Sequence, residues 1–188
     1  AFGAAVPLYD GYVPYQNIVF QYSIHMLESA DGELKHFEYL VTNTDEPSEE
    51  FVKRLVSVIG ETGTVVVWNK GYECPRNREL AKLQPKFAER LEDINRRTYD
   101  LMDCFRKGYY VDCRFHGSNS IKDVLPILVP ELSYKELEIG EGTAAMMNWF
   151  KITHDEKNVF AEDSIELKDK IKNDLLRYCE LDTLAMVE

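Results

Sequence analysis

The stretch NIVFQYSIHML, at residues 17–27, decides the fold of this chain. Apolar residues occupy every second position from Ile18 onward, and a period of two predicts a β-strand with one apolar face. Asp31-Gly32, a dipeptide typical of tight turns, separates this stretch from a second strand-like segment at residues 34–41. The sequence therefore predicts a β-hairpin near its start.

The remaining sequence predicts helices around one further strand. Residues 48–59 keep helical spacing with Ser48 as a candidate N-cap, and residues 64–68 form a β-branched apolar run, as expected for a strand buried on both faces. Further helical stretches lie at residues 76–107, with breaks near Pro85 and Asn95, and at residues 120–128, 143–150 and 165–186. This order of elements describes an α/β fold with a mixed sheet.

Length and composition favour one domain over residues 1–188, of which 45% are hydrophobic. No apolar run approaches the length of a membrane span, so no membrane partner is expected. The four cysteines lack C-x-x-C spacing, which argues against a zinc site or a disulfide framework and fits a cytoplasmic location. The opening Ala1-Phe2-Gly3 lacks an initiator Met and a signal-peptide pattern, and we expect the sequence to begin inside a longer polypeptide.

The formal net charge of −11 is unevenly distributed. Residues 70–122 hold twelve Lys and Arg against eight Asp and Glu, so this segment carries +4 and the remainder −15. Such a division suits an enzyme that binds a phosphate backbone along one surface and gathers carboxylates elsewhere. Ordinary scatter of surface charge explains it equally well.

The first candidate site residue is Glu73, which ends the stretch VVVWNKGYE at residues 65–73. A buried strand ends there and a polar turn delivers the carboxylate just before a helix, the place where sites gather in open α/β sheets. The alternative is a structural carboxylate that offsets the dipole of the following helix.

The second candidate is the pair Tyr178 and Asp182, which lie one turn apart on the last helix. Their face is shared with Ile171 and Leu175, which should be buried. A buried carboxylate costs several kcal/mol unless it is paired or metal-bound, so Asp182 requires a cation, a basic partner or a more exposed position.

Together these patterns resemble a known family. N-x-x-Y-E at residues 69–73 and Y-x-x-x-D at residues 178–182 resemble the second and third motifs of the DEDD exonucleases in their tyrosine variant. Four longer segments resemble the bacterial domain family DUF2779, and they lie at residues 9–16, 117–126, 131–140 and 178–186.

The resemblance implies a ribonuclease H-like mixed sheet flanked by helices and lacking its first strand, because the Asp-x-Glu of the first motif would precede Ala1. It also implies that Glu73 and Asp182 bind a pair of Mg²⁺ or Mn²⁺ ions and that Tyr178 orients the attacking water. Asp100 matches a further acidic position of the family, as an accessory ligand or as a support for the sheet.

We therefore expect a metal-dependent nuclease domain, 3′–5′ exonuclease-like, that acts on single-stranded DNA or RNA and is inactive without the first motif. Lys70, Arg76 and Lys122 are candidate phosphate contacts. The alternative is a non-catalytic module that binds nucleic acid or protein, since DUF2779 domains are often joined to a RecB-like nuclease domain. Ligand-like spacing is absent from the four histidines, His25, His36, His116 and His154.

Overall fold

The fold is described from a computed structural model, over residues 1–29, 31–132, 134, 137–155 and 164–188. Within these residues the strands are β1 (Phe2–Gly3), β2 (Asn17–Ile18), β3 (Gln21–Met26), β4 (Lys35–Leu40), β5 (Val65–Val67) and β6 (Thr98–Asp100). The α-helices are α1 (Ser48–Val58), α2 (Lys70–Leu83), α3 (Ala88–Arg97), α4 (Asp103–Arg106), α5 (Ile121–Leu128), α6 (Gly142–Thr153) and α7 (Ser164–Leu184). Short 3-10 turns cover Pro85–Phe87 and Cys113–Phe115.

The predicted hairpin is formed by β3 and β4, which pair antiparallel with Gln21 opposite Leu40 and Met26 opposite Lys35. Its apolar face packs on α1, where the Tyr22 ring meets the Phe51 ring edge-on with centroids 5.4 Å apart. Its polar face meets α7, where Gln21 Nε2 donates to the Leu175 carbonyl at 2.7 Å. The hairpin is therefore enclosed between two helices, one on each face.

Helix α1 begins one residue earlier than the predicted cap implies. Pro47 occupies the N-cap, and Ser48 is the first helical residue. The carboxylate of Glu46 accepts hydrogen bonds from the Ser48 backbone N–H at 3.0 Å and from the Ser48 hydroxyl at 2.9 Å. The capping prediction for Ser48 was wrong because a carboxylate two residues upstream satisfies the free N–H instead.

Strands β5 and β6 form a short parallel pair in which Val67 lies opposite Asp100. Two expectations fail here. Val66 is 43% exposed, so β5 is not buried on both faces, since β6 is its one strand neighbour among the described residues. The break predicted near Asn95 follows Arg97, where α3 ends, but the next residues form β6, a strand too short to give a pattern in the sequence, where a further helical stretch was expected.

The later helices agree with the sequence. The Ser120 hydroxyl accepts from the Lys122 N–H at 3.3 Å and so caps α5 as predicted. The predicted stretches at residues 143–150 and 165–186 correspond to α6 and α7. Across the residues that the structure describes, no helix is both long and apolar enough to cross a membrane.

The architecture is mixed α/β, with small sheets flanked by helices. The described strands pair two by two, as β1–β2, β3–β4 and β5–β6. The one mixed sheet expected from the ribonuclease H-like resemblance is thus not formed by the described residues. One further hydrogen bond extends the β3–β4 ladder, since the Val41 N–H donates to the Phe20 carbonyl at 2.8 Å just beyond the paired residues Gln21 and Leu40.

The hydrophobic core is centred on Trp149 of α6, which is fully buried. Its ring stacks on Phe20 with centroids 4.6 Å apart and planes 9° apart, and it also contacts the Phe2 ring at 5.6 Å. The indole N–H donates to the Val41 carbonyl at 2.9 Å. Trp149 therefore connects α6 to Phe2 of β1, to Phe20 just before β3 and to Val41 just after β4.

Trp149→Phe should destabilise the protein by about 1–3 kcal/mol, because the buried Val41 carbonyl loses its donor while the ring stack is largely kept. Trp149→Ala should cost more, roughly 3–5 kcal/mol, because it also leaves a cavity. Urea unfolding followed by circular dichroism measures both changes. Met147→Ala is the matched control, since Met147 lies on the same helix and is 60% exposed. An equal loss for Met147→Ala and Trp149→Ala would contradict the central role of Trp149.

Candidate functional site

The two acids expected to share a site lie on two helices that are far apart in the sequence. Glu73 lies in the first turn of α2, just after β5, and Asp182 lies in the last turns of α7. Although they are far apart in sequence, Asp182 is close enough for its charge to raise the pKa of Glu73. The structure thus brings both carboxylates to one region, which we call the acid pocket (Glu73 and Asp182).

The pKa of Glu73 is raised above its ordinary value, first by desolvation and then by the charge of Asp182. The amino group of Ala1 and, more weakly, Arg76 oppose this rise. Glu73 nevertheless keeps solvent-exposed surface. Glu73 is therefore partly desolvated and still reached by water, so an ion in solution has access to this residue.

Asp182 lies beside two tyrosines. The Tyr134 hydroxyl donates to Asp182 Oδ1 at 2.5 Å, and the Tyr178 hydroxyl is near enough to lower the pKa of the carboxylate. Burial raises the pKa of Asp182, whereas Tyr134, the nearby charge of Lys122 and Tyr178 oppose the rise. These partners fix the orientation of the carboxylate and share its negative charge, but no cation forms an ion pair with it within 4.0 Å among the described residues.

The rings of Tyr134 and Tyr178 and the ammonium group of Lys122 lie beside the Asp182 carboxylate. The Tyr134 and Tyr178 ring centroids are 6.2 Å apart, and Lys122 Nζ lies 5.8 Å from the first ring centroid and 5.5 Å from the second. Burial and the charge of Asp182 raise the pKa of both phenols well above its usual range, so both remain hydrogen-bond donors at neutral pH. Sequence reasoning did not single out Tyr134, which lies far from Tyr178 and Asp182 along the chain.

The amino group of Ala1 lies in the same region. Desolvation lowers its pKa, and Glu73, Cys179 and Arg76 are the charges that act on it. The Cys179 thiol is also nearby, and desolvation followed by the charge of Asp182 raises its pKa to about 12. That thiol stays protonated at neutral pH and is a poor metal ligand or nucleophile.

Asp100 forms an ion pair with Arg106 and does not join Glu73 and Asp182. It lies on β6, and its Oδ2 is 3.5 Å from Arg106 Nη2, whereas its Oδ1 is buried without a hydrogen-bond partner among the described residues. Among the residues that the structure describes, Glu73, Asp100 and Asp182 do not form a group of three metal-ligand atoms. The contact with Arg106 agrees with the structural alternative for Asp100, a support for the sheet.

Of the three candidate phosphate contacts, two have partners inside the protein. Lys70 Nζ donates to the Thr98 carbonyl at 2.6 Å, which secures the start of α2 to β6. Arg76 Nη2 pairs with Glu79 at 2.6 Å. Lys122 remains beside Asp182 and the tyrosines.

The positive segment is largely neutralised by local ion pairs. Nine of the twelve cations in residues 70–122 pair with a described carboxylate, namely Arg76, Arg78, Lys86, Arg90, Arg96, Arg97, Arg106, Lys107 and Arg114. Several of these pairs are exposed, and such pairs are weak and readily exchanged. The charge surplus of the segment is therefore a weaker indication of nucleic-acid binding than the sequence implied.

A second polar group lies on the other side of α7, and sequence reasoning missed it. His25 and His36 face each other across the hairpin with ring centroids 4.5 Å apart, and Glu180 Oε1 lies 3.8 Å from His36 Nδ1. Desolvation and then the charge of His36 lower the pKa of His25. Spacing along the chain gave no signal for this group, because the hairpin register and α7 together create it.

Comparison with known proteins assigns the family. No curated protein and no solved structure matches the chain. A match to DUF2779, described as a domain of unknown function, covers residues 1–120, which include Glu73 and end before Tyr134, Tyr178 and Asp182. Since this match spans well over half of the sequence, the chain belongs to the DUF2779 family.

Proposed function

We propose that this protein is a metal-dependent nuclease domain that hydrolyses phosphodiester bonds of single-stranded DNA or RNA, with the acid pocket as its metal site. The proposal rests on one observation, the convergence of Glu73 and Asp182 closely enough for the Asp182 charge to raise the pKa of Glu73. Two acids brought together by separate elements repel each other, and a bound cation relieves this repulsion.

The donor set suits hard divalent ions. Carboxylate oxygens are the ligands that Mg²⁺ and Mn²⁺ prefer, and both acidic residues keep solvent-exposed surface. Such ions, when bound, lower the pKa of an attacking water and stabilise the leaving oxygen. The Ala1 nitrogen lies within electrostatic range of Glu73, so the start of the chain is near this site.

The chain's own residues then have distinct tasks. Tyr134 donates to Asp182 Oδ1 and holds the carboxylate in one orientation. Tyr178, one turn before Asp182, stays protonated and is the donor that orients the attacking water in the resemblance to the tyrosine-variant exonucleases. Lys122 supplies a positive charge next to this pair, where an incoming phosphate would be attracted.

The second candidate function is a non-catalytic module that serves an attached RecB-like nuclease domain. The neutralised positive segment favours it, and so does the short hydrogen bond that occupies one oxygen of Asp182. The two functions differ in their dependence on metal. Carboxylate-dependent binding of Mn²⁺ in calorimetric titration is expected of the nuclease and not of the module.

The nuclease proposal predicts that the full-length chain degrades a labelled single-stranded oligonucleotide in the presence of Mn²⁺. Glu73→Gln and Asp182→Asn should each reduce the rate by at least roughly 100-fold, because each removes a charge that binds the metal. Gel electrophoresis of the products measures the rate and also distinguishes exonuclease from endonuclease action.

Two exposed acids serve as matched controls, Glu89→Gln on α3 and Asp169→Asn on α7. Both variants should retain the wild-type rate. Undiminished cleavage by Glu73→Gln or Asp182→Asn would remove the acid pocket from the mechanism, and absence of cleavage together with absence of Mn²⁺ binding would favour the non-catalytic module.

The acid pocket should also cost stability when no metal is present. Because the folded-state pKa of Glu73 is raised, the folded protein binds its proton more tightly than the unfolded chain. The associated stability is complete below the ordinary Glu pKa of 4.5 and is lost as pH rises through the raised value. Glu73→Gln should therefore raise the Tm of the metal-free protein at neutral pH, whereas Glu89→Gln should not. A lower Tm for Glu73→Gln would show that its charge stabilises the fold.

Lys122→Gln should weaken binding of a single-stranded oligonucleotide by roughly fivefold or more and reduce the salt dependence of binding by about one ion. Lys82→Gln is the matched control, since Lys82 is exposed and forms no ion pair with a described residue. Fluorescence anisotropy at several salt concentrations measures both effects. Equal weakening by the two substitutions would indicate general attraction and no specific phosphate contact at Lys122.

A further inference from the structure

We propose that His25, His36 and Glu180 form a binding site for a borderline divalent transition-metal ion such as Zn²⁺. This site, which we call the histidine site, goes beyond the proposed nuclease function and uses none of the residues of the acid pocket. Each of its three residues offers one ligand atom, and these atoms all lie within 4.8 Å of one another.

The backbone places the two imidazoles before any metal is considered. His25 on β3 and His36 on β4 are direct partners in the antiparallel register. Their rings stack with centroids 4.5 Å apart and planes 17° apart. Directly opposed residues point to the same face of a hairpin, and this face is the one that α7 covers.

Two hydroxyls fix one nitrogen of each imidazole. Ser23 Oγ is hydrogen-bonded to His36 Nε2 at 2.8 Å, and Thr183 Oγ1 is hydrogen-bonded to His25 Nδ1 at 2.9 Å. The two hydroxyls are also bonded to each other at 2.7 Å. Metal-binding histidines characteristically use one ring nitrogen for the ion and the other for such an orienting hydrogen bond. The remaining nitrogens, His25 Nε2 and His36 Nδ1, are left to bind an ion.

The third ligand comes from α7. Glu180 Oε1 lies 3.8 Å from His36 Nδ1, and the Glu180 side chain is 45% exposed, so its carboxylate can rotate toward an ion without disturbing the core. Ligand atoms around tetrahedral zinc are about 3.4 Å apart, so these ligand atoms, which lie within 4.8 Å of one another, would move closer together on binding an ion. The partial exposure of the group leaves a fourth position for water.

The donor chemistry selects the class of ion. Two imidazole nitrogens and one carboxylate suit Zn²⁺, Co²⁺ or Ni²⁺, whereas Mg²⁺ prefers oxygen ligands alone. A bound ion would join the hairpin to α7 at Glu180. Asp182 lies on the same turn of α7, so the histidine site would also restrain the helix turn that carries a carboxylate of the acid pocket.

Titration of the EDTA-treated full-length protein with Zn²⁺, in competition with a chromophoric chelator, tests the proposal. The tightest-binding Zn²⁺ should occupy this site, and His36→Gln and Glu180→Gln should each weaken its binding by more than about 100-fold. Ser23→Ala and Thr183→Val, which remove the orienting hydroxyls, should weaken it by roughly 10–100-fold. Asp182→Asn should leave Zn²⁺ affinity unchanged, which separates this site from the acid pocket.

The control is His116→Asn, since His116 is exposed and adopts a left-handed conformation (φ 50°) that Asn tolerates. It should bind Zn²⁺ like the wild type. Binding of Co²⁺ gives an independent signal, because the visible spectrum of nitrogen and oxygen ligation lacks the sulfur charge-transfer band that a cysteine site would show.

Thermal unfolding measurements show whether a variant loses Zn²⁺ binding because a ligand is missing or because the protein is misfolded. Zn²⁺ at a hundredfold excess over its Kd should raise the Tm of the wild type by about 5 °C or more. The Tm of Glu180→Gln, measured without metal, should match the metal-free wild type and should not respond to Zn²⁺. Wild-type Zn²⁺ affinity in His36→Gln and Glu180→Gln, or a sulfur band with Co²⁺, would overturn the proposal.

Discussion

The rotational position of α7 about its own axis is the constraint on which both polar groups depend. Gln21 Nε2 donates to the Leu175 carbonyl, and Ser23 is bonded to Thr183, so the polar face of the hairpin fixes that rotation. Residues two apart on a helix point about 200° from each other. Asp182 therefore faces Tyr134, while Glu180 faces His36 on the opposite side. A rotation of α7 by half a turn would separate both groups from their partners.

In the acid pocket, two carboxylates are partly removed from water, which makes their charged forms less favourable. Desolvation raises the pKa of Glu73 and of Asp182, although the Ala1 amine, two tyrosines and Lys122 each counter part of that rise. A region that served only the fold would gain from an ion pair or an apolar contact at these positions. Carboxylates kept close together, oriented by neutral donors and reached by solvent are more typical of a binding site than of a structural element.

The sequence predicted most of the helices and the hairpin because their patterns are long enough to carry a period. Helices α5, α6 and α7 and strands β3 and β4 agree with that analysis within a few residues. Strand β6 was missed because three residues cannot show an alternation, and the exposure of Val66 depends on how many neighbours β5 has. Arrangements of this kind arise from tertiary contacts, which override local propensity.

The two polar groups differ in how far the sequence could reveal them. The pairing of Tyr178 with Asp182 follows from helical spacing, and Glu73 follows from the end of a strand, so resemblance and pattern both led to the acid pocket. A two-residue turn at Asp31-Gly32 would have paired His25 with Glu38, whereas the observed loop pairs His25 with His36. A register shift of two residues thus decides whether the hairpin presents a histidine pair to α7, and single-sequence reasoning does not determine register with that accuracy.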